Sequence, residues 1–241
     1  MMPRAGRDLP SVEDVMETVE SSARRQRVAE FDALAVLRET RSVTVERGRI
    51  SGADSALATG LHVRACVDGK VGGAFCNDFS QAKVSECIAE AVRTAGFRET
   101  DTRWGGFPAG GREYARVDGL YDKSVAEVDV RTLGMMAEEM VGGALSVSRK
   151  VAVPYGAVEA LEMTLGVVNS SGVNALMKET RLQALICCVA GSGESISPDC
   201  EESSMSRGCD LRTEKVGERA GWIADKSTHL SGAETEECEL V

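Results

Sequence analysis

"GLHVRACVDGKVGGAFCND", residues 60–78, decides how the first half of this chain folds. Leu61, Val63, Ala65 and Val67 alternate with His62, Arg64 and Cys66, the period-two pattern of a half-buried strand. Asp68-Gly69 comes next. A two-residue type I′ turn needs positive φ at both central positions, and Asp-Gly is among the pairs that adopt it. "KVGGAFCN" (70–77) is then the return strand, with Gly72 and Gly73 marking a bulge or a place where another backbone comes close. The same stretch holds one of the two histidines and two of the eight cysteines, so it is also the first place to look for chemistry.

Upstream, Ser11 can cap a helix over 12–28, with Asp14 at the capping-box position and Val12, Val15, Met16, Val19 and Ala23 on one face. "EFDALAVLRE" (30–39) and "SVTVERGRI" (42–50) read as extended segments. Downstream, Asp78 or Ser80 opens a helix to about Ala95, its inner face made of Val84, Cys87, Ile88, Ala91 and Ala95. Residues 96–119, "GFRETDTRWGGFPAGGREYARVDG", lack periodicity and are rich in glycine and charge, so they read as a linker that Trp104 and Phe107 pack down.

The second half repeats the layout. Asp129 caps a helix to about Leu145, extended segments follow near 150–158, 161–169 and 180–190, and "NSSG" (169–172) is the turn after the second of them. A polar loop, 191–209, leads to a helix near 213–226. The fold class is therefore α+β: two successive α/β modules with mainly antiparallel sheets and helices packed on them. The first domain is placed at 1–100, the linker at 101–119 and the second domain at 120–241. "ETEECELV" (234–241) begins as a further strand would, as a terminal edge strand or the point where a longer protein continues.

Length and composition narrow the function. With 241 residues, 43% hydrophobic and 27% charged, the chain has enough apolar surface for a real core. A net charge of −10 argues against nucleic acid, because phosphate contacts need clustered Lys and Arg. No apolar run reaches the ~18 residues of a membrane span, and the N-terminus lacks the apolar core of a signal peptide. The expected compartment is the cytoplasm, where the eight cysteines (66, 76, 87, 187, 188, 200, 209 and 238) stay reduced.

Catalytic motifs are sparse. No C-x-x-C pair is present, so no zinc knuckle or dithiol redox motif is read, and the cysteines are taken as core packing. An H-E-x-x-H peptidase needs two imidazoles one helical turn apart, and neither His62 nor His229 has such a neighbour. "GSGES" (191–195) lacks the G-x-S-x-G spacing of a nucleophile turn and the Lys-Ser/Thr of a phosphate loop. Paired glutamates at 138–139, 201–202 and 236–237 suit a solvated acidic face. No catalytic, cofactor-binding or metal-binding residue is assigned.

The order of features nevertheless resembles the TldD/PmbA family. Gly60, Val63, Arg64, Asp68, Gly69, Gly72 and Ala74 match a G-x-x-V-R-x-x-x-D-G-x-x-G-x-A hairpin, and Asp78 and Ser80 match its D-x-S helix opening. "LYDKSVAEVDV" (120–130), "VVNSSGV" (167–173) and "VGERAGWIADKS" (216–227) are similar to the family's middle domain, with Val168, Asn169, Ser170, Gly172 and Val173 on its turn. The resemblance covers about residues 12–241 and leans to the PmbA/TldE side. It implies the N-terminal part of a metallopeptidase that degrades unfolded or modified peptides. It implies partnership as a homodimer or as a heterodimer with a TldD-like subunit, with no nucleic acid and no membrane. Zinc is expected only in a full-length metal-bearing subunit, on an H-E-x-x-x-H motif and a distant cysteine in a third domain that would begin near Val241; in this chain no cofactor is expected. Two other readings stay open: a stand-alone, non-catalytic peptide-binding or assembly module, and an unrelated thiol enzyme.

Overall fold

The computed structural model describes residues 9–111, 114, 115, 117–193 and 195–228. Helix α1 (Val12–Arg25) precedes strands β1 (Glu30–Glu46), β2 (Arg49–Val67) and β3 (Lys70–Cys76) and helix α2 (Gln81–Ala95). A short helix α3 (Lys123–Glu127) leads to helix α4 (Val130–Val147). Strands β4 (Val151–Asn169), β5 (Asn174–Ser192), β6 (Ser195–Ile196) and β7 (Cys200–Ser206) follow, and then helix α5 (Thr213–Lys226). The strands lie in the order β3-β2-β1-β4-β5-β6, and β7 pairs with β5. The pairings β2–β3, β5–β6 and β5–β7 are antiparallel, so the α+β class with antiparallel pairing and packed helices holds.

The chain forms two compact units: 1–40, 55–127 and 161–181 make the first, and 41–54, 128–160 and 182–241 the second. Each of the four long strands gives one segment to each unit.

In the first unit, α1 starts with a full capping box: Ser11 Oγ accepts from the Asp14 N–H at 3.1 Å, and Asp14 Oδ2 accepts from the Ser11 N–H at 2.9 Å. The helix stops at Arg25, short of the expected residue 28, because Arg27 turns left-handed at φ 58°. Val12, Val15, Met16, Val19 and Ala23 bury the expected face against Leu61, Val63 and Ala65 of β2 and Val84, Ile88 and Ala91 of α2. Each large aliphatic side chain sealed this way contributes roughly 1.5–3 kcal/mol.

The β2–β3 hairpin turns at Asp68 and Gly69, with φ of 51° and 74°, as the Asp-Gly pair predicts. Its register is unbroken from Leu61↔Cys76 to Val67↔Lys70, so there is no bulge. Gly72 instead answers to close approach: a Cβ there would lie 2.1 Å from the Ala95 nitrogen and 2.3 Å from the Ala91 oxygen. The strand therefore rests directly on the backbone of α2.

Three expectations need correction. "EFDALAVLRE" and "SVTVERGRI" are not two segments: β1 runs unbroken to Glu46, turns at Arg47-Gly48 (φ 51° and 70°) and returns as β2. The segments near 150–158 and 161–169 are likewise one strand, β4. The polar loop 191–209 contains β6 and β7; β7 ("CEESSMS") has no apolar alternation, and it is held by its ladder with β5, Leu182↔Ser206 to Cys188↔Cys200, and by Glu202 pairing with Arg219 of α5. In the second unit α4 and α5 meet backbone to backbone, since a Cβ on Gly217 would lie 1.8 Å from the Met140 oxygen. The terminal stretch 234–241 lies outside the described residues.

Candidate functional site

Val63, Arg64 and Ala74 of the hairpin each have a partner within the first unit. Val63 is buried, and Ala74 packs against the same core. Arg64 points to the opposite face of β2, where Nε donates to Asp32 Oδ1 at 2.8 Å and Nη2 donates to Asp32 Oδ2. The guanidinium carbon also sits 5.3 Å from the Phe107 ring centroid. That pairing uses both properties peculiar to Arg, the two-pronged fork and the stackable plane. The Arg64–Asp32 contact raises the guanidinium pKa further above its already high value.

Phe107 belongs to the segment read as a linker, and this segment is strapped down. Trp104 meets Phe107 edge to face with centroids 4.9 Å apart, and its Nε1 donates to Glu30 Oε2 at 2.8 Å. The Asp101 N–H donates to the Gly69 oxygen at 2.9 Å, and the Gly110 N–H to the Ser171 oxygen at 2.8 Å. Trp104 and Phe107 thus pack down as expected.

The "NSSG" turn forms the other end of the strap. Asn169 is 5% exposed, and its Oδ1 accepts from the Ser171 and Val173 N–H groups at 2.9 Å each. Its Nδ2 donates to the Pro108 oxygen at 2.8 Å. Ser170 Oγ accepts from the Phe31 N–H at 3.0 Å, while the Ser170 N–H donates to the Phe31 oxygen at 2.9 Å. With Gly172 at φ 86°, the four residues form a turn in which Asn169 Oδ1 ties the loop to itself while Asn169 Nδ2, Ser170 and the Ser171 oxygen hold the strap and β1.

Between β3 and α2 lies an open groove of about 530 Å³, walled by Phe75, Cys76, Lys83, Glu86, Cys87 and Arg93. Phe75 is 67% exposed. Lys83 pairs with Glu86 at 2.6 Å and Arg93 with Glu90 at 2.5 Å, so the charges on α2 neutralise each other along the helix.

The remaining sequence candidates do not converge. His62 is exposed on β2 opposite Phe75, and its Nε2 would touch a Gly73 Cβ at 3.4 Å. His229, Cys238 and the Glu236–Glu237 pair lie outside the described residues, as does Glu194 of "GSGES". Gly191 and Ser192 pair with Ile196 and Ser195, a tight hairpin and not the strand-to-helix bend of a nucleophile turn. Glu139 lies 3.5 Å from the Thr213 hydroxyl, Glu201 accepts from the Tyr155 hydroxyl, and Glu202 pairs with Arg219 at 3.1 Å. Cys66, Cys87, Cys187, Cys188 and Cys200 are buried, Cys76 is half-buried and Cys209 exposed. Burial pushes the Cys66 and Cys187 thiols up, and takes those of Cys87 and Cys188 to about 12, away from the thiolate range of reactive cysteines. Among the described residues no three His, Cys, Asp or Glu side chains stand together as metal ligands, and no helix is long and apolar enough to cross a membrane.

Residues 32–95, the stretch running from Asp32 through the hairpin to the end of α2, match the family model described as PmbA/TldA metallopeptidase domain 1. Among curated proteins, none matches the chain in sequence. Among solved structures, TldE from Thermococcus kodakarensis is similar at 19% identity and a TM-score of 0.78, covering 88% of this chain and 47% of that one. A candidate modulator of DNA gyrase from Bacteroides thetaiotaomicron is similar at 18% identity and 0.77, covering 90% and 50%. A second protein of that description, from Thermotoga maritima, is similar at 18% and 0.75, covering 89% and 48%. The chain spans about half the length of these structures and shares their fold over that half. Over residues 32–95 the chain carries the first domain of the PmbA/TldD metallopeptidase family.

Proposed function

We propose that the chain acts in a cytoplasmic TldD/PmbA-type metallopeptidase, as the part that shapes the peptide cleft and the dimer contacts while the catalytic zinc is held elsewhere. The first-domain match over 32–95 carries this reading. The turn at Asn169–Val173 supports the PmbA/TldE side. The substrates are unfolded or modified peptides. β3 ends the strand order, and a strand end of this kind takes an extended chain through backbone hydrogen bonds that do not depend on its sequence. The partner is a TldD-like subunit or a second copy.

The test is to purify the chain alone and together with a TldD-like subunit from the same genome. Association and peptide hydrolysis are then measured for each. The expected result is one co-eluting complex and hydrolysis only with the partner. Stoichiometric zinc and hydrolysis on this chain alone would overturn the proposal, as would failure to associate with any such subunit or with itself.

A further inference from the structure

We propose that a groove of the second unit is a binding site for an acidic peptide segment: Arg47 and Arg49 each take a carboxylate, and an aliphatic side chain of the peptide covers Leu145 and Val151. The groove has a volume of about 460 Å³ and lies between the β1–β2 turn, the end of α4 and the start of β4. The turn contributes Arg47 and Arg49; Leu145, Val151, Val153 and Pro154 make the apolar lining. One hydrogen bond fixes this geometry. The Arg47 N–H donates to the Pro154 oxygen at 2.9 Å, which holds the turn against β4. The volume falls within the roughly 300–1,000 Å³ of small-ligand sites.

Three properties point to a ligand. First, Arg47 holds φ 51° at the first central position of its turn, where Asn, Asp or Gly fits without strain. A long cationic side chain kept in that conformation indicates a task for the side chain itself, since the turn would form more readily without it. Second, among the described residues neither Arg47 nor Arg49 has an ion pair or a side-chain hydrogen bond, in a chain of net charge −10. Glu46 precedes the turn, and Glu138 of α4 lines an adjoining hollow of about 340 Å³ with Arg49, yet neither carboxylate pairs with the two arginines. Arg149 and Lys150, exposed immediately before Val151, add two further positive charges. Third, Leu145 is 46% exposed in the same groove, an aliphatic surface left open.

That combination fits carboxylates flanking an aliphatic side chain. A guanidinium fork matches a carboxylate with two parallel hydrogen bonds, and covering the apolar lining removes it from water. A single-stranded nucleic acid would need aromatic side chains for base stacking, and among the described residues none lines the groove. The proposal rests on residues of the second unit alone and is independent of the peptidase reading.

The experiment follows the fluorescence anisotropy of a fluorescein-labelled, amidated peptide of alternating glutamate and leucine as the full chain is added. Saturable binding is expected, weakened about tenfold in Arg47→Asn and again in Arg49→Gln, and lost at about 1 M salt, where the Debye length is about 3 Å. Asn suits the turn, so Arg47→Asn should lose the peptide without losing melting temperature, an outcome that a purely structural arginine would not give. Should a variant fail to fold, two further peptides test the wild-type chain itself: glutamine for glutamate, and serine for leucine, each expected to bind about tenfold more weakly. A peptide that does not bind, that binds both variants as it binds wild type, or that binds no better than its glutamine counterpart overturns the proposal. So does a single-stranded oligonucleotide that binds more tightly than the peptide.

Discussion

Arg64 holds Asp32 across one strand pairing by both ends of its guanidinium, while the flat side of the same group lies against Phe107. One side chain thus ties β2 to β1 and to the strap at once. Arg64→Lys keeps the charge and loses the fork and the plane. With the Arg64 side chain 46% exposed, the expected cost is about 0.5–1 kcal/mol. Urea unfolding measures it, and limited proteolysis should show faster cutting within 101–111. An unchanged midpoint and cutting rate would count against the clamp.

Gly72→Ala should be far more costly. Its Cβ would meet backbone atoms of α2, at 2.1 Å and 2.3 Å, which no rotamer change relieves. A loss of about 2–3 kcal/mol is expected. Gly73→Ala is the control, since its Cβ meets the His62 ring at 3.4 Å, and its midpoint should stay near wild type. Thermal melts of the two variants decide between them.

Arg47 holds φ 51°, a left-handed conformation that a long side chain does not favour. Arg47→Asn supplies a residue suited to the first central position of a type I′ turn. The variant should gain about 0.5–1 kcal/mol, read as a higher melting temperature. A lower one would show that the Arg47 side chain makes a contact worth more than the strain.

Asp14, Asp78, Asp122 and Asp129 are each held below the usual carboxylate range by hydrogen bonds from Ser11, Ser80, Ser124 and Thr132 respectively. A carboxyl whose pKa is lower folded than unfolded stabilises fully above its unfolded value, about 3.9, and loses that contribution as pH falls through the folded value. Stability should therefore drop between about pH 4 and pH 2. The combined Asp→Asn variant keeps acceptor oxygens at all four positions and should show a shallower acid dependence in urea midpoints at pH 5 and pH 2.5. An equally steep profile would place the acid sensitivity elsewhere.

Local chemistry explains which parts of the fold could be read from sequence. Asp68-Gly69 announces its turn because both residues accept positive φ. Arg47-Gly48 adopts nearly the same angles, yet an arginine does not advertise them, and the β1–β2 turn passes as continuous strand. The periodic helices are legible to within a few residues; β7 is not, because a polar strand carries no apolar pattern. The motif Val63-Arg64 could be quoted, but Asp32 as its partner could not, since the contact spans 32 positions.

The first unit closes only with residues 161–181, although most of it is drawn from the first 127. During synthesis, then, α1, the β2–β3 hairpin and α2 emerge from the ribosome long before the turn at Asn169 that fastens Phe31 and Pro108. The Trp104 and Phe107 part of the strap can settle early on Glu30 and Arg64, whereas its Pro108–Gly110 end has no partner until the turn at Asn169–Ser171 has been made.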